Sequence, residues 1–314
     1  MALRDATVTE SAFKYHFITH DPGVIDIWPS FSPDGKTVLF SRTVDKGRTW
    51  ELFVVPSSGG EPRRLSAAPL PVSATRANWS KDNGLIAFIG ESSPGGGTSL
   101  WLINADGTEP RQIQASGLTD GVFYPSWYPM GNRLALVDFG GGEGGVVKQV
   151  DLARKEVTPL TSRQQVLAGM PRVSPDGQWI AFAGQKNHGQ TYDQTKNSIW
   201  LRDDAGKLHL LDPKQGRAPG WSPDGEWLAF ESDRDNLEHL YAIFIERRDG
   251  TAITQITPRA LDAIHPAWSP NGKLVVLAGR LPDDHDSTCG LECQRGLVIV
   301  QVPKSGAHSR PVVN

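Results

Sequence analysis

Residues 219–230 read PGWSPDGEWLAF, and this stretch decides the fold because the chain writes it six times. The other copies are PSFSPDGKTVLF from Pro29, ANWSKDNGLIAF from Ala77, PSWYPMGNRLAL from Pro125, PRVSPDGQWIAF from Pro171 and PAWSPNGKLVVL from Pro266. The aromatic or apolar position falls at Phe31, Trp79, Trp127, Val173, Trp221 and Trp268, in steps of 48, 48, 46, 48 and 47 residues. A period this regular denotes an array of one structural unit.

Each copy reads as strands. In Ser-Pro-Asp-Gly the proline pre-sets the first turn dihedral and the glycine closes the turn. The run after it alternates polar with apolar residues, as at Trp179 and Ala181 or Trp227 and Ala229, which predicts a half-buried strand. A third apolar run follows a variable loop (Leu100 to Ile103, Ile199 to Leu201, Leu297 to Val300), and in several copies a second glycine turn such as Asp249-Gly250 leads to a short fourth strand such as 252–257. Four antiparallel strands in each of six repeats predict an all-β chain, a six-bladed β-propeller with blade repeats beginning near 29, 77, 125, 171, 219 and 266.

The register also predicts closure. Residues 13–19 stand before Phe31 where 253–257 stand before Trp268, so they are expected to supply the outer strand of the last blade and remove its open edge. The tail 307–313 competes for the same place. The expected organisation is a 1–12 extension, a propeller over 13–302 and a 303–314 tail.

The string at 219–230, continued by Glu231-Ser232-Asp233-Arg234 and by the later Arg248-Asp249-Gly250, resembles the WD-like repeats of the TolB β-propeller family. The resemblance spans roughly residues 13 to 302. It implies a rigid ring that in some members binds protein partners, in others gates a peptidase, and in others again is an oligogalacturonate lyase. The peptidase reading would need a G-x-S-x-G nucleophile elbow, which the 314 residues do not contain. The lyase reading would need a cluster of histidines holding a divalent metal near the propeller mouth, and of 8 histidines only His265 falls there.

Function is expected where copies differ. The position before each repeat proline should ring the central channel, and its occupants are Trp28, Arg76, Tyr124, Met170, Ala218 and His265. Asp26, Asp120 and Asp262 lie two to five residues before the proline and are candidate carboxylates beside the ring. Aromatic, arginine and histidine side chains together have the composition of a recognition hot spot, although capping of strand ends around a wet channel is the plainer reading. Two long loops form a candidate rim, 185–197 with His188, Tyr192 and Asp193, and 281–295 with Asp283, Asp284 and His285. The second holds the two cysteines of the chain, Cys289 and Cys293, whose spacing fits a small disulfide, two free thiols, or a weak metal site with His285. No cofactor is predicted beyond that possible divalent metal. The glycine runs 95–97 and 140–145 lack the lysine and helix of a phosphate loop.

Net charge is −3, from 32 basic and 35 acidic residues well mixed, without a basic stripe, so a nucleic-acid partner is not expected. No apolar run approaches spanning length, so membrane insertion is not expected either. The compartment would be periplasmic or extracellular had a leader been removed, and cytoplasmic if Met1 is the native start. These readings favour a non-catalytic scaffold that recognises a protein segment or a small ligand at the channel mouth. The alternative is a lyase or hydrolase acting there on a saccharide or other small molecule.

Overall fold

The computed structural model describes residues 13–44, 47, 49–66, 71–82, 84–93, 95–142, 144–281 and 293–303. After β1 (Tyr15–Phe17), blade 1 is formed by β2 (Asp26–Phe31), β3 (Thr37–Val44), β4 (Thr49–Pro56) and β5 (Arg63–Arg64), and blade 2 by β6 (Ser73–Trp79), β7 (Leu85–Glu91), β8 (Thr98–Asn104) and β9 (Arg111–Gln112). Blade 3 has β10 (Val122–Trp127), β11 (Arg133–Asp138), β12 (Val146–Asp151) and β13 (Glu156–Pro159), and blade 4 has β14 (Val166–Val173), β15 (Trp179–Lys186), β16 (Ser198–Asp203) and β17 (Leu208–Asp212). Blade 5 is β18 (Arg217–Trp221), β19 (Trp227–Ser232), β20 (Ala242–Arg247) and β21 (Ile253–Gln255). Blade 6 adds β22 (Ile264–Trp268), β23 (Leu274–Arg280) and β24 (Arg295–Gln301). Every sheet has four antiparallel strands, and the sixth has the order β1-β24-β23-β22.

The N-terminal strand therefore completes the last blade, with Tyr15 opposite Val300 and Phe17 opposite Val298. The clasp is tight beyond its ladder. Ile18 N–H donates to the Leu297 carbonyl at 2.8 Å, and Leu297 N–H donates to Thr19 Oγ1 at 2.8 Å. Thr19 Oγ1 in turn donates to Asp26 of blade 1 at 2.7 Å, so the clasp is tied to both ends of the ring. Gly296 makes the approach possible, since a Cβ there would stand 2.1 Å from the Thr19 carbonyl oxygen. The tail 307–313 lies outside the described residues.

The core is divided among the seams between blades, as a radial array requires. Phe40, Phe88, Phe182 and Phe230, which end the repeat string within the second strand of four copies, are fully buried. Phe31, Val38 and Phe40 of blade 1 pack with Val276, Leu297 and Ile299 of blade 6, so the closing seam is filled like the others. Where the repeat aromatic is tryptophan, its indole can staple neighbouring blades. Trp127 Nε1 donates to the Asn78 carbonyl at 3.1 Å, and Trp221 Nε1 to the Arg172 carbonyl at 2.9 Å.

The Ser-Pro-Asp-Gly turns share one face. In each complete copy the serine hydroxyl bonds the turn aspartate (Ser32 to Asp34 at 2.6 Å, Ser222 to Asp224 at 2.5 Å), and the aspartate accepts the backbone N–H two residues on. These bonds hold the Asp34 carboxyl below the usual carboxylate range. Blade connections and second-to-third strand loops share the opposite face. Among the described residues no helix is long and apolar enough to cross a membrane.

Candidate functional site

All six innermost strands carry the same irregularity at the same place. In β2 the ladder pairs Ile27 with Ser41 and Ser30 with Leu39, so three steps on one strand match two on the other. The same one-residue bulge falls between Thr75 and Asn78, Phe123 and Ser126, Gly169 and Arg172, Arg217 and Gly220, and Ile264 and Ala267. The proline inside five of these bulges has no N–H to leave unpaired. The residue before it takes the left-handed conformation, with φ of 53° at Trp28, 55° at Arg76, 55° at Tyr124, 52° at Met170, 48° at Ala218 and 54° at His265. None is glycine, so each costs on the order of 1 kcal/mol. A bulge re-aims a side chain, and Trp28, Tyr124, Met170, Ala218 and His265 line one cavity of about 30 Å³ in the channel.

The ring has two unlike arcs. Met170 and Ala218, of blades 4 and 5, join Ala183 in an apolar cluster against Tyr124. His265, Trp28, Arg76 and Tyr124, of blades 6, 1, 2 and 3, form a continuous polar and aromatic arc. Trp28 Nε1 donates to His265 Nε2 at 3.1 Å. The Arg76 guanidinium lies 4.0 Å from the Trp28 ring centroid, 4.8 Å from that of Tyr124 and 4.9 Å from that of Phe123, a cation held by three π faces. Because His265 Nε2 accepts from Trp28, its proton belongs on Nδ1, and that buried atom has no protein partner. Burial, reinforced by Arg217, Arg76, Arg295 and Arg172, holds the His265 pKa well below the usual range, so the imidazole is neutral.

Two further polar residues line the cavity, beside Pro29, Pro266 and Ala267. Arg172 and Asn78, two positions after the ring residue, occupy a column that Ser30, Ser126, Gly220 and Ala267 fill with small side chains in the other copies. Comparing side-chain size down that column is the sequence signal that points to them. Burial lowers the Arg172 pKa to about 10, and Tyr124 is the group that opposes the shift.

The candidate carboxylates do not join the ring. Asp26 is fully buried and accepts two bonds from Arg42, at 2.7 and 2.8 Å. Asp262 pairs with Arg295 at 2.6 Å and accepts Tyr241 N–H at 2.9 Å. Asp120 is exposed, and its backbone carbonyl accepts Thr98 N–H. None of the three lines the cavity; Asp26 and Asp262 answer the arginines of neighbouring strands instead. At the rim, Tyr192 packs on Phe139 with ring centroids 6.3 Å apart, and its hydroxyl accepts Asn197 Nδ2–H at 2.9 Å. A Cβ on Gly169, beside Met170, would stand 3.3 Å from that hydroxyl, which brings the 185–197 loop to the mouth. Asp193 instead caps the 3₁₀ turn Gln194–Lys196, and His188 is exposed. Asp283, Asp284, His285 and Cys289 lie outside the described residues; Cys293 is buried and disulfide-bonded. Among the described residues no three His, Cys, Asp or Glu side chains are grouped to hold a metal.

Fold and ring together define a six-bladed propeller with one side-chain-rich opening at its channel. The model of the TolB beta propeller domain matches residues 12–197 and 85–283, and the chain belongs to that family. No curated protein sequence matches it. Among solved structures it is similar to a TolB-type protein from Agrobacterium tumefaciens, at 17% identity and a TM-score of 0.66 over 91% of this chain and 93% of that one. TolB from Acinetobacter baumannii matches at 19% identity and a TM-score of 0.60, over 90% of this chain and 64% of that one. An oligogalacturonate lyase from Vibrio parahaemolyticus matches at 12% identity and a TM-score of 0.57, over 96% of each chain. At these identities the likeness is one of fold.

Proposed function

We propose that this propeller is a recognition scaffold that binds a protein segment or a small ligand at the channel mouth, on the arc His265, Trp28, Arg76 and Tyr124. The observation that carries the reading is the ring of strained backbone. Six copies keep one costly conformation, and at that position the side chains diverge into aromatic, cationic, aliphatic and imidazole groups, five of the six lining one cavity. Strain of this kind clusters at ligand sites, and aromatic plus arginine anchors dominate binding energies.

A thermal-shift screen of the full chain against small molecules and peptides, followed by titration of the hits, tests the reading. Trp28→Ala or Arg76→Ala should weaken a bound ligand by on the order of 2 kcal/mol, whereas Lys36→Ala and Glu226→Ala on the turn face should leave affinity unchanged. The reverse pattern would move the site to the turn face. A second reading, a lyase or hydrolase at the same mouth, draws support from the end-to-end likeness to the oligogalacturonate lyase and from a neutral histidine at the cavity. Turnover of a screened saccharide, lost in His265→Gln, would establish it.

A further inference from the structure

We infer that the group this mouth receives is a carboxylate, seated between the Arg76 and Arg172 guanidiniums and the Nδ1–H of His265; the inference rests on the recognition reading and names its ligand chemistry. Arg217, Arg234 and Arg295 are buried, and each has a carboxylate: Glu231 at 2.7 Å, Asp212 at 2.5 Å and Asp262 at 2.6 Å. Arg42, largely covered, has Asp26 at 2.7 Å and Asp21 at 2.7 Å. Withdrawing a cation from water is costly unless an anion answers it, and at these four places one does.

Half-buried arginines outside the channel, Arg163 and Arg202, lack a carboxylate too among the described residues, but each places its guanidinium on two backbone carbonyls; the two half-buried arginines of the channel have less. Arg172 is half-buried at the cavity wall, and its one described side-chain bond runs to the carbonyl of Pro171, at 3.0 Å. Arg76 has its hydrogen bond to Thr75 Oγ1 and its three π faces, while its Nε has no partner. Neither forms an ion pair among the described residues. The nearby carboxylates are already engaged, Glu231 by Arg217 and by His265 N–H at 2.7 Å, and Asp262 by Arg295. His265 adds an unpartnered donor of its own, 9% exposed and facing the same cavity. Donors without acceptors, beside a cavity that Arg172 lines and whose Trp28 and Tyr124 rings carry Arg76, describe a site that lacks an anion.

Size and shape narrow the class. About 30 Å³ holds a group the size of one or two water molecules, which suits a planar carboxylate; guanidinium groups match its geometry. The flanking rings of Trp28, Trp50 (5.2 Å from Trp28 and tilted 54° to it) and Tyr124 offer an aromatic surface to the body that carries the carboxylate.

The probes are phenylacetate and its neutral isostere phenylacetamide, with a short peptide ending in a phenylalanine carboxylate and the same peptide amidated, titrated calorimetrically into the full chain at fixed chloride. We expect each acid to bind at least ten-fold more tightly than its amide, and Arg172→Gln to abolish the difference. Unliganded Arg172→Gln should melt no lower than wild type, since it removes an unanswered charge. Preference shown by phenylacetate alone assigns the site to small carboxylates, and preference shown by the peptide alone assigns it to a chain terminus. Equal binding of acid and amide, an acid preference that survives in Arg172→Gln, or no binding of either acid overturns the inference. The recognition reading would still stand if neutral ligands from the screen depend on Trp28. Should Arg172→Gln fail to fold, Arg76→Gln gives the same comparison from blade 2.

Discussion

The two faces of this ring are made by the same strands under opposite rules. On the turn face the side chains repeat: Ser32 with Asp34, Ser80 with Asp82, Ser174 with Asp176 and Ser222 with Asp224 make one bond four times, and Ser269 with Asn271 makes its neutral counterpart. At the mouth the backbone repeats and the side chains do not, six residues of five chemical kinds sharing φ between 48° and 55°. A repeated side chain is occupied in holding its own turn. A repeated backbone with a free side chain is a mounting, and what it mounts can change without disturbing the ring.

The severest test of the comparison removes the frame both faces share. Gly296→Ala would drive a Cβ into the Thr19 carbonyl, and we expect a loss of at least about 3 kcal/mol in denaturant unfolding, by analogy with other overpacked sites. Deleting residues 1–19 should abolish cooperative unfolding altogether. A deletion variant that melts like the full chain would show that the clasp contributes little.

A seam between blades supplies a control that belongs to neither face. Burial and the neighbouring Asp212 push the Glu246 pKa up to about 7. A carboxyl raised above its unfolded value of about 4.3 stabilises the fold when protonated. Its contribution is therefore complete below about pH 4 and is lost as pH rises through about 7. Melting temperature should fall between pH 5.5 and 8.5 by the equivalent of on the order of 2 kcal/mol. Glu246→Gln should flatten that fall and leave mouth binding unchanged.

Smaller effects separate the faces directly. Ser222→Ala removes a partner of Asp224 and of Trp227 N–H, and should cost about 1 kcal/mol of stability with no change in affinity. Ala218→Gly relieves a left-handed alanine and should gain up to about 1 kcal/mol, whereas Ala229→Gly, in a regular strand, should lose stability. If Ala218→Gly destabilises instead, the ring conformation is not strained and the mounting argument weakens.

Much of this was legible in the chain. Blade number, strand order within a blade and the closing strand follow from a period that survives in every copy, because turn dihedrals and buried apolar positions leave few residue choices. The ring position was legible as a column of unlike residues. Its left-handed backbone was not, since Trp, Arg, Tyr and His give no local sign of positive φ and the conformation arises from pairing with the second strand. Arg172 escaped notice because it stands inside a copy that otherwise obeys the consensus. Asp26 and Asp262 looked available because their partners, Arg42 and Arg295, come from other strands, the second lying 33 residues away. Charge pairing across a blade is a property of the sheet, which no single stretch of sequence displays.

The clasp has a consequence for synthesis. Leu297 meets Thr19 across 278 positions of chain, and of the ring's strands β1 is made first and paired last. At roughly 5–20 residues per second, about 15 to 60 s separate the emergence of these two segments from the ribosome. Throughout that interval the seam face of blade 1, with Val38 and Phe40, is bare, and β1 is a loose strand with an unused edge. The ring thus has a vulnerable period set by translation speed, during which a neighbouring nascent chain could take the place of its own last blade.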